Sequence, residues 1–70
     1  MEEFRMAEEL YDELVGLEIG AAYDKATEMI KGTKFTLVII GPDFPGHVDV
    51  DKTRINIQHD IGIVTDVFCD

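Results

Sequence analysis

Along the first fifteen residues, Phe4, Ala7, Leu10 or Tyr11, and Leu14 recur at intervals of three and four, with Glu2, Glu3, Glu8, Glu9 and Glu13 between them. That period is helical, and it predicts a short amphipathic helix ending before Gly16, with Phe4 and Tyr11 on its core side. Ile19, Ala22, Ala26, Met29 and Ile30 repeat the pattern, with Lys31 in the last turn and Gly32 at the position after the C-cap. A second helix therefore runs from about Glu18 to Lys31. Its start is weakly marked, because Glu18 is a poor N-cap and Gly20 costs about 1 kcal/mol relative to alanine inside a helix, so its first turn is expected to fray.

From Lys34 the period changes. Phe35, Thr36, Leu37, Val38, Ile39 and Ile40 form a β-branched run, apolar on both faces, that predicts a centrally buried strand. Residues 41 to 52 contain two prolines and two glycines and read as a loop. Thr53 to Gln58 alternates Ile55 and Ile57 with Arg54, Asn56 and Gln58, and Ile63 to Phe68 supplies a further strand after a turn at His59-Asp60-Ile61-Gly62. The order helix, helix, strand, loop, strand, strand makes the chain α+β. One main helix and a short N-terminal helix pack on a small mixed sheet, with a long exposed loop between two roughly parallel strands. Residues 1 to 15 form an N-terminal helical segment and 16 to 70 the core of a single domain. A structureless loop of this length in a compact domain points to function.

Composition narrows that function. Seventy residues fold as one small domain that buries about 60% of its unfolded surface, which favours binding over a catalytic pocket. With 46% apolar residues the chain folds despite a net charge of −9. The negative field disfavours direct nucleic-acid binding and leaves basic proteins as partners, or a protein that imitates nucleic acid. Nine acidic and three basic side chains fall in residues 1 to 32, against six and three in 33 to 70, so the excess sits mainly on the helices. The longest apolar run, Leu37 to Ile40, is far short of the roughly 20 residues of a membrane span. A single cysteine, Cys69, and a start at Met1-Glu2-Glu3 suit a reducing, cytoplasmic setting. Neither charge nor length sets the oligomeric state.

Candidate chemistry is thin. His47, Asp49 and Asp51 are metal-ligand types, yet an EF-hand reading from Asp49 puts Arg54 where glycine is required and lacks the closing glutamate. A zinc reading needs more ligands than His47, and His59 stands at no motif spacing. No metal or other cofactor is expected. There is no serine in the chain, Cys69 has no base beside it, and His59 reads as a solvated turn residue, so the chain is not expected to be an enzyme. Phe44, between Asp43 and Pro45, is either folded back as a plug or presented to a partner.

Glu13-Leu14-Val15-Gly16, the helix and apolar strand after it, the segment Val48-Asp49-Val50-Asp51-Lys52-Thr53-Arg54-Ile55-Asn56-Ile57 and the ending Gly62-Ile63-Val64-Thr65-Asp66-Val67-Phe68-Cys69 follow in an order and spacing that resemble the potato inhibitor I family of serine protease inhibitors, above all its compact bacterial and fungal relatives. The resemblance covers about residues 11 to 70. It implies that residues 42 to 53 are a protease-binding loop, with Phe44, Pro45, Gly46, His47, Val48, Asp49 and Val50 at its centre and a reactive bond between Val48 and Asp49. Val48 would enter the specificity pocket of an elastase-like or subtilisin-like protease. Arg54, with Asn56, would brace the loop from the strand beneath, a guanidinium offering fixed donors to a carboxylate and to loop carbonyls. The chain departs from the family at His47, where a threonine is usual, at Gly46, at Phe44-Pro45, in the acids around the bond, and in lacking the N-terminal partner of the terminal cysteine. The alternative expectation is a non-inhibitory acidic interaction module on the same scaffold, binding or regulating another host protein through Glu8, Glu9 and Glu13 or through Phe44.

Overall fold

The computed structural model describes residues 2–70, with side chains from Arg5 onward. Two helices, α1 (Glu2–Leu14) and α2 (Ile19–Ile30), precede three strands, β1 (Thr36–Ile40), β2 (Arg54–Asp60) and β3 (Ile63–Cys69). The strands form one sheet in the order β1-β2-β3. β1 and β2 run parallel, with Leu37 beside Ile55 and Ile39 beside Ile57, and β2 and β3 run antiparallel, with Ile57 beside Val67. The class is α+β, as the pattern predicts.

Alternation along the strands divides the sheet into two faces. Ile55, Ile57 and Val67 point to the helices and join Leu10, Leu14, Ala22, Ala26 and Val64 in the buried core, with Met6, Leu17, Leu37 and Cys69 packed around it. Leu10 and Leu14 are one turn apart and both fully buried, which resolves the choice between Leu10 and Tyr11: Tyr11 is exposed, against the expectation that it packs inward. The side chains of Glu2, Glu3 and Phe4 lie outside the described residues. Truncation of a core side chain such as Ile57 to alanine costs about 2–5 kcal/mol, a large share of what a domain this size holds.

The start of α2 is a correction. Glu18 caps the helix: its carboxylate curls back to accept from Gly20 N–H (2.8 Å) and Ala21 N–H (3.3 Å). The longer side chain fits because a Cβ on Gly20 would stand 3.1 Å from Glu18 Oε1, so the glycine that weakens the helix by propensity makes room for its cap. Ile19 N–H also bonds Gly62 O (2.8 Å), and Gly16 and Leu17 pair with Val64, tying the first turn to the sheet. Lys25 bridges to Glu13 at 3.1 Å between the helices.

Two strand expectations also change. β1 is an edge strand, since among the described residues only β2 pairs with it, and its burial is uneven: Ile40 is buried, Leu37 and Val38 are half-buried, and Thr36 and Ile39 are exposed, against the expectation of a strand buried centrally. β2 extends through His59 and Asp60, so His59 is half-buried within the strand, beside a register shift at Gln58/His59, with its Nδ1 enclosed and unpartnered. The turn shrinks to Ile61-Gly62, both at positive φ (53° and 78°). This is the φ signature of a type I′ hairpin, which favours Asn-Gly.

A β-branched residue at positive φ is strained, and Ile61 is 93% exposed, so its side chain recovers nothing by packing. Ile61→Asn is expected to raise stability by about 1 kcal/mol in a denaturant melt. An unchanged or lower midpoint would show that Ile61 is not strained in solution.

Candidate functional site

The second face of the sheet carries a polar row. Arg54, Asn56 and Gln58 are alternate residues of β2, so all three point away from the helical core, and each reaches the segment between β1 and β2. Gln58 Nε2 lies 3.4 Å from both Gly41 O and Pro42 O, where the loop leaves β1. Asn56 meets His47 at mid-loop. Arg54 meets Asp49, where the chain turns back toward β2.

Asn56 is fully buried, the sole buried polar residue among the described residues. A buried amide must satisfy its donors and its acceptor within the protein. Its Nδ2 donates to Phe68 O (3.3 Å) and Asp70 O (3.4 Å), which leaves Oδ1 to accept from His47 Nε2 at 2.6 Å. The network thereby assigns a proton to Nε2 of His47. The Phe44 ring stands edge-on to the imidazole, 4.7 Å between centroids, so Phe44 is half-buried against His47. Gly46 has φ +106°, a backbone state that L side chains rarely adopt, and there the chain turns His47 inward.

Arg54 is enclosed (14% exposed) and its three nitrogens are divided. Nη2 donates to the Asp49 carbonyl at 2.9 Å, both Nη atoms stand 3.5 Å from the Asp49 carboxylate, and Nε donates to Asp70 O at 2.8 Å. The shorter bond to Asp49 is to its backbone, so this brace fixes the path of the loop more than it pairs charges. The two shorter bonds, to Asp49 O and Asp70 O, are the charge-assisted ones of about 1.5–3 kcal/mol each, whereas the 3.5 Å contacts to the exposed Asp49 carboxylate contribute about 0–1 kcal/mol. Asp70 N–H returns a bond to Arg54 O (3.2 Å), so Arg54 and Asn56 both rest on Asp70 at the end of β3.

At the far end of the loop Asp51 Oδ1 accepts from Thr53 N–H (2.9 Å) and Thr53 Oγ1 (2.7 Å). This Asx turn leads the chain into β2. The two bonds from Thr53, side chain first, with a smaller contribution from the Arg54 charge, hold the Asp51 carboxyl below its ordinary value.

Between these anchors the backbone bends at Val48-Asp49. Val48 is fully exposed and Val50 is exposed, as are Pro45, Gly46 and the Asp49 side chain. The residues singled out from the sequence thus fall into two groups: His47, Arg54 and Asn56 face inward and join, while Val48 and Val50 face solvent. The sequence reading did not find Gln58, Asp51, Thr53 or Asp70 as loop anchors. The first had a signal, since polar residues at every second position of a strand need a polar layer above them. Glu8, Glu9 and Glu13 are exposed on α1. Among the described residues no group of three or more His, Cys, Asp or Glu side chains is placed to hold a metal, and no helix is long and apolar enough to cross a membrane. Cys69 is half-buried at the end of β3.

Comparison with protein-family models, curated proteins and solved structures returned no match.

Removing an anchor should loosen the loop in proportion to what is left buried and unpaired. Asn56→Ala is expected to cost about 1–3 kcal/mol in global stability. His47→Ala leaves the buried Asn56 Oδ1 without its donor, so it should lower stability as well and speed amide exchange in residues 44–50. If exchange there is unchanged in His47→Ala, the imidazole does not anchor the loop.

The Asp51 shift has a sign that can be tested. A folded pKa below the unfolded one means that the Asx turn adds stability above the ordinary carboxylate pKa, and loses it as pH falls through the lower folded value. A carboxyl NMR titration should place Asp51 below its free-peptide value, and Thr53→Val should move it back up. An Asp51 that titrates alike in both proteins would remove Thr53 as the cause.

Proposed function

We propose that the chain inhibits a serine protease by presenting residues 44–50 as a braced, substrate-like loop, with Val48-Asp49, where the backbone bends, as the bond offered for attack. The observation that carries this reading is the placing of the anchors on either side of that bond. His47, one residue before Val48, is held by Asn56, and Asp49, immediately after it, is held by Arg54. The Val48 side chain between them is fully exposed.

The physics follows from that arrangement. A segment fixed before docking loses little conformational entropy on binding, so a small contact area can still bind tightly. If the protease opens the Val48-Asp49 bond, each new end keeps an anchor of its own, and the amine stays beside the acyl carbon instead of diffusing away. Religation then competes with hydrolysis, because reaction between held groups has a large effective molarity. A flexible peptide of the same sequence has neither property and is a plain substrate.

Val48 sets the expected target. A branched aliphatic of this size suits the shallow apolar pockets of elastase-like and subtilisin-like enzymes. The resemblance to potato inhibitor I proteins supports the same bond and the same role for Arg54.

The test is a panel of elastase-like and subtilisin-like proteases assayed at micromolar protein. Slow, competitive inhibition is expected, with an intact Val48-Asp49 bond over many turnovers, and Val48→Arg should redirect inhibition to trypsin. Arg54→Ala should convert inhibitor to substrate, raising the hydrolysis rate of the bond by 10-fold or more, since about 1.4 kcal/mol of positioning corresponds to tenfold. No inhibition across the panel, together with no gain against trypsin in Val48→Arg, would overturn the reading.

A further inference from the structure

We propose that the outer edge of β1 pairs with the same edge of a second copy of this chain, antiparallel, to give a continuous six-stranded sheet from two three-stranded ones. The inference is independent of the inhibitory reading and uses the side of the sheet away from β3.

The hydrogen bond from Thr36 N–H to Thr53 O (3.0 Å) fixes which groups of β1 are left over. Backbone groups alternate sides along a strand, so Thr36, Val38 and Ile40 bond β2, while the N–H and C=O of Leu37 and Ile39 point outward, where the sheet has no further strand among the described residues. An unpaired edge is a template for another strand, and proteins commonly blunt it with charge, proline, a bulge or a covering segment. Thr36-Leu37-Val38-Ile39-Ile40 carries neither charge nor proline, its pairing with β2 is regular, and Ile39 is 45% exposed. The opposite edge differs: the first residues of β3 are covered by the segment from Gly16 to Ile19 through bonds at Val64 and Gly62, and β3 carries Asp66.

The occupant follows from the symmetry of the strand. A two-fold contact must be self-complementary. Centring the pair on Val38 puts Leu37 of one copy opposite Ile39 of the other, so the outward groups exchange bonds as the closely spaced pairs of an antiparallel ladder. The same register brings the Lys34 end of one strand toward the Asp43 end of the other, positive to negative. The two-fold axis then stands perpendicular to the sheet, with both pairs of helices on one face and both loops on the other. A five-residue strand buries less than the roughly 800 Å² per partner of a stable complex, and two copies each at −9 repel. The pairing is therefore weak, dependent on concentration, and strengthened by salt.

Sedimentation velocity and amide exchange from about 10 μM to about 1 mM protein, at low and high salt, read this out on the intact chain. The expected result is a shift from monomer to dimer mass, larger at high salt, with the Leu37 and Ile39 amides slowing by tenfold or more over the same range. Ile39→Lys should keep the protein monomeric with unchanged circular dichroism. Thr36→Lys, at an exposed position of the same strand, gives an independent reading if the first variant does not fold, and Ile61→Lys at the hairpin tip should leave the dimer intact. A monomer at every concentration, a dimer whose Leu37 and Ile39 amides still exchange freely, or a dimer lost in Ile61→Lys but kept in Thr36→Lys would each overturn the proposal.

Discussion

Everything distinctive about this protein depends on one buried amide. Asn56 sits in the central strand between Ile55 and Ile57, with no exposed surface, and its burial is tolerable only because each of its polar atoms is used. Its donors close on the end of β3 and its acceptor closes on His47. One side chain thus joins the central strand, the last residues and the middle of the loop. Arg54 repeats the arrangement two residues earlier, between Asp70 and Asp49.

The consequence is a sheet in contact with other parts of the chain on both of its faces. Helices cover one face of the sheet by apolar packing, and a loop without regular structure covers the other by polar contacts to alternate residues of β2. The loop has no core of its own, so its order is borrowed from the strand beneath it. That division explains why Val48 can be fully exposed while its neighbour His47 is held. Loops generally carry function on a rigid support, and here the support consists of particular hydrogen bonds that can be removed one at a time.

Much of this was legible in the chain. The spacing of Leu10, Leu14, Ala22 and Ala26 marked the helices and their buried faces, and the alternation of Ile55 and Ile57 marked the strand that faces them. Other features were hidden because they depend on neighbours remote in sequence. Glu18 became a cap through the missing side chain of Gly20. Tyr11 was left outside because Leu10, not Tyr11, stands over Leu14. His59 was drawn into a strand because the turn tightened to Ile61-Gly62, at the cost of strain at Ile61.

The sequence by itself determined the elements, the class of fold and the position of the loop, because hydrophobic period and turn residues act over a few positions and need no knowledge of the rest. It also carried the residue types of the brace at alternate positions of one strand. Only the tertiary structure decided what those residues hold, that β1 lies at an edge, and which loop side chains turn inward, because each of these depends on segments brought together across the sheet. Asp70 is joined to Arg54 over sixteen positions and His47 to Asn56 over nine, separations at which local preference has no influence and geometry alone selects the partner.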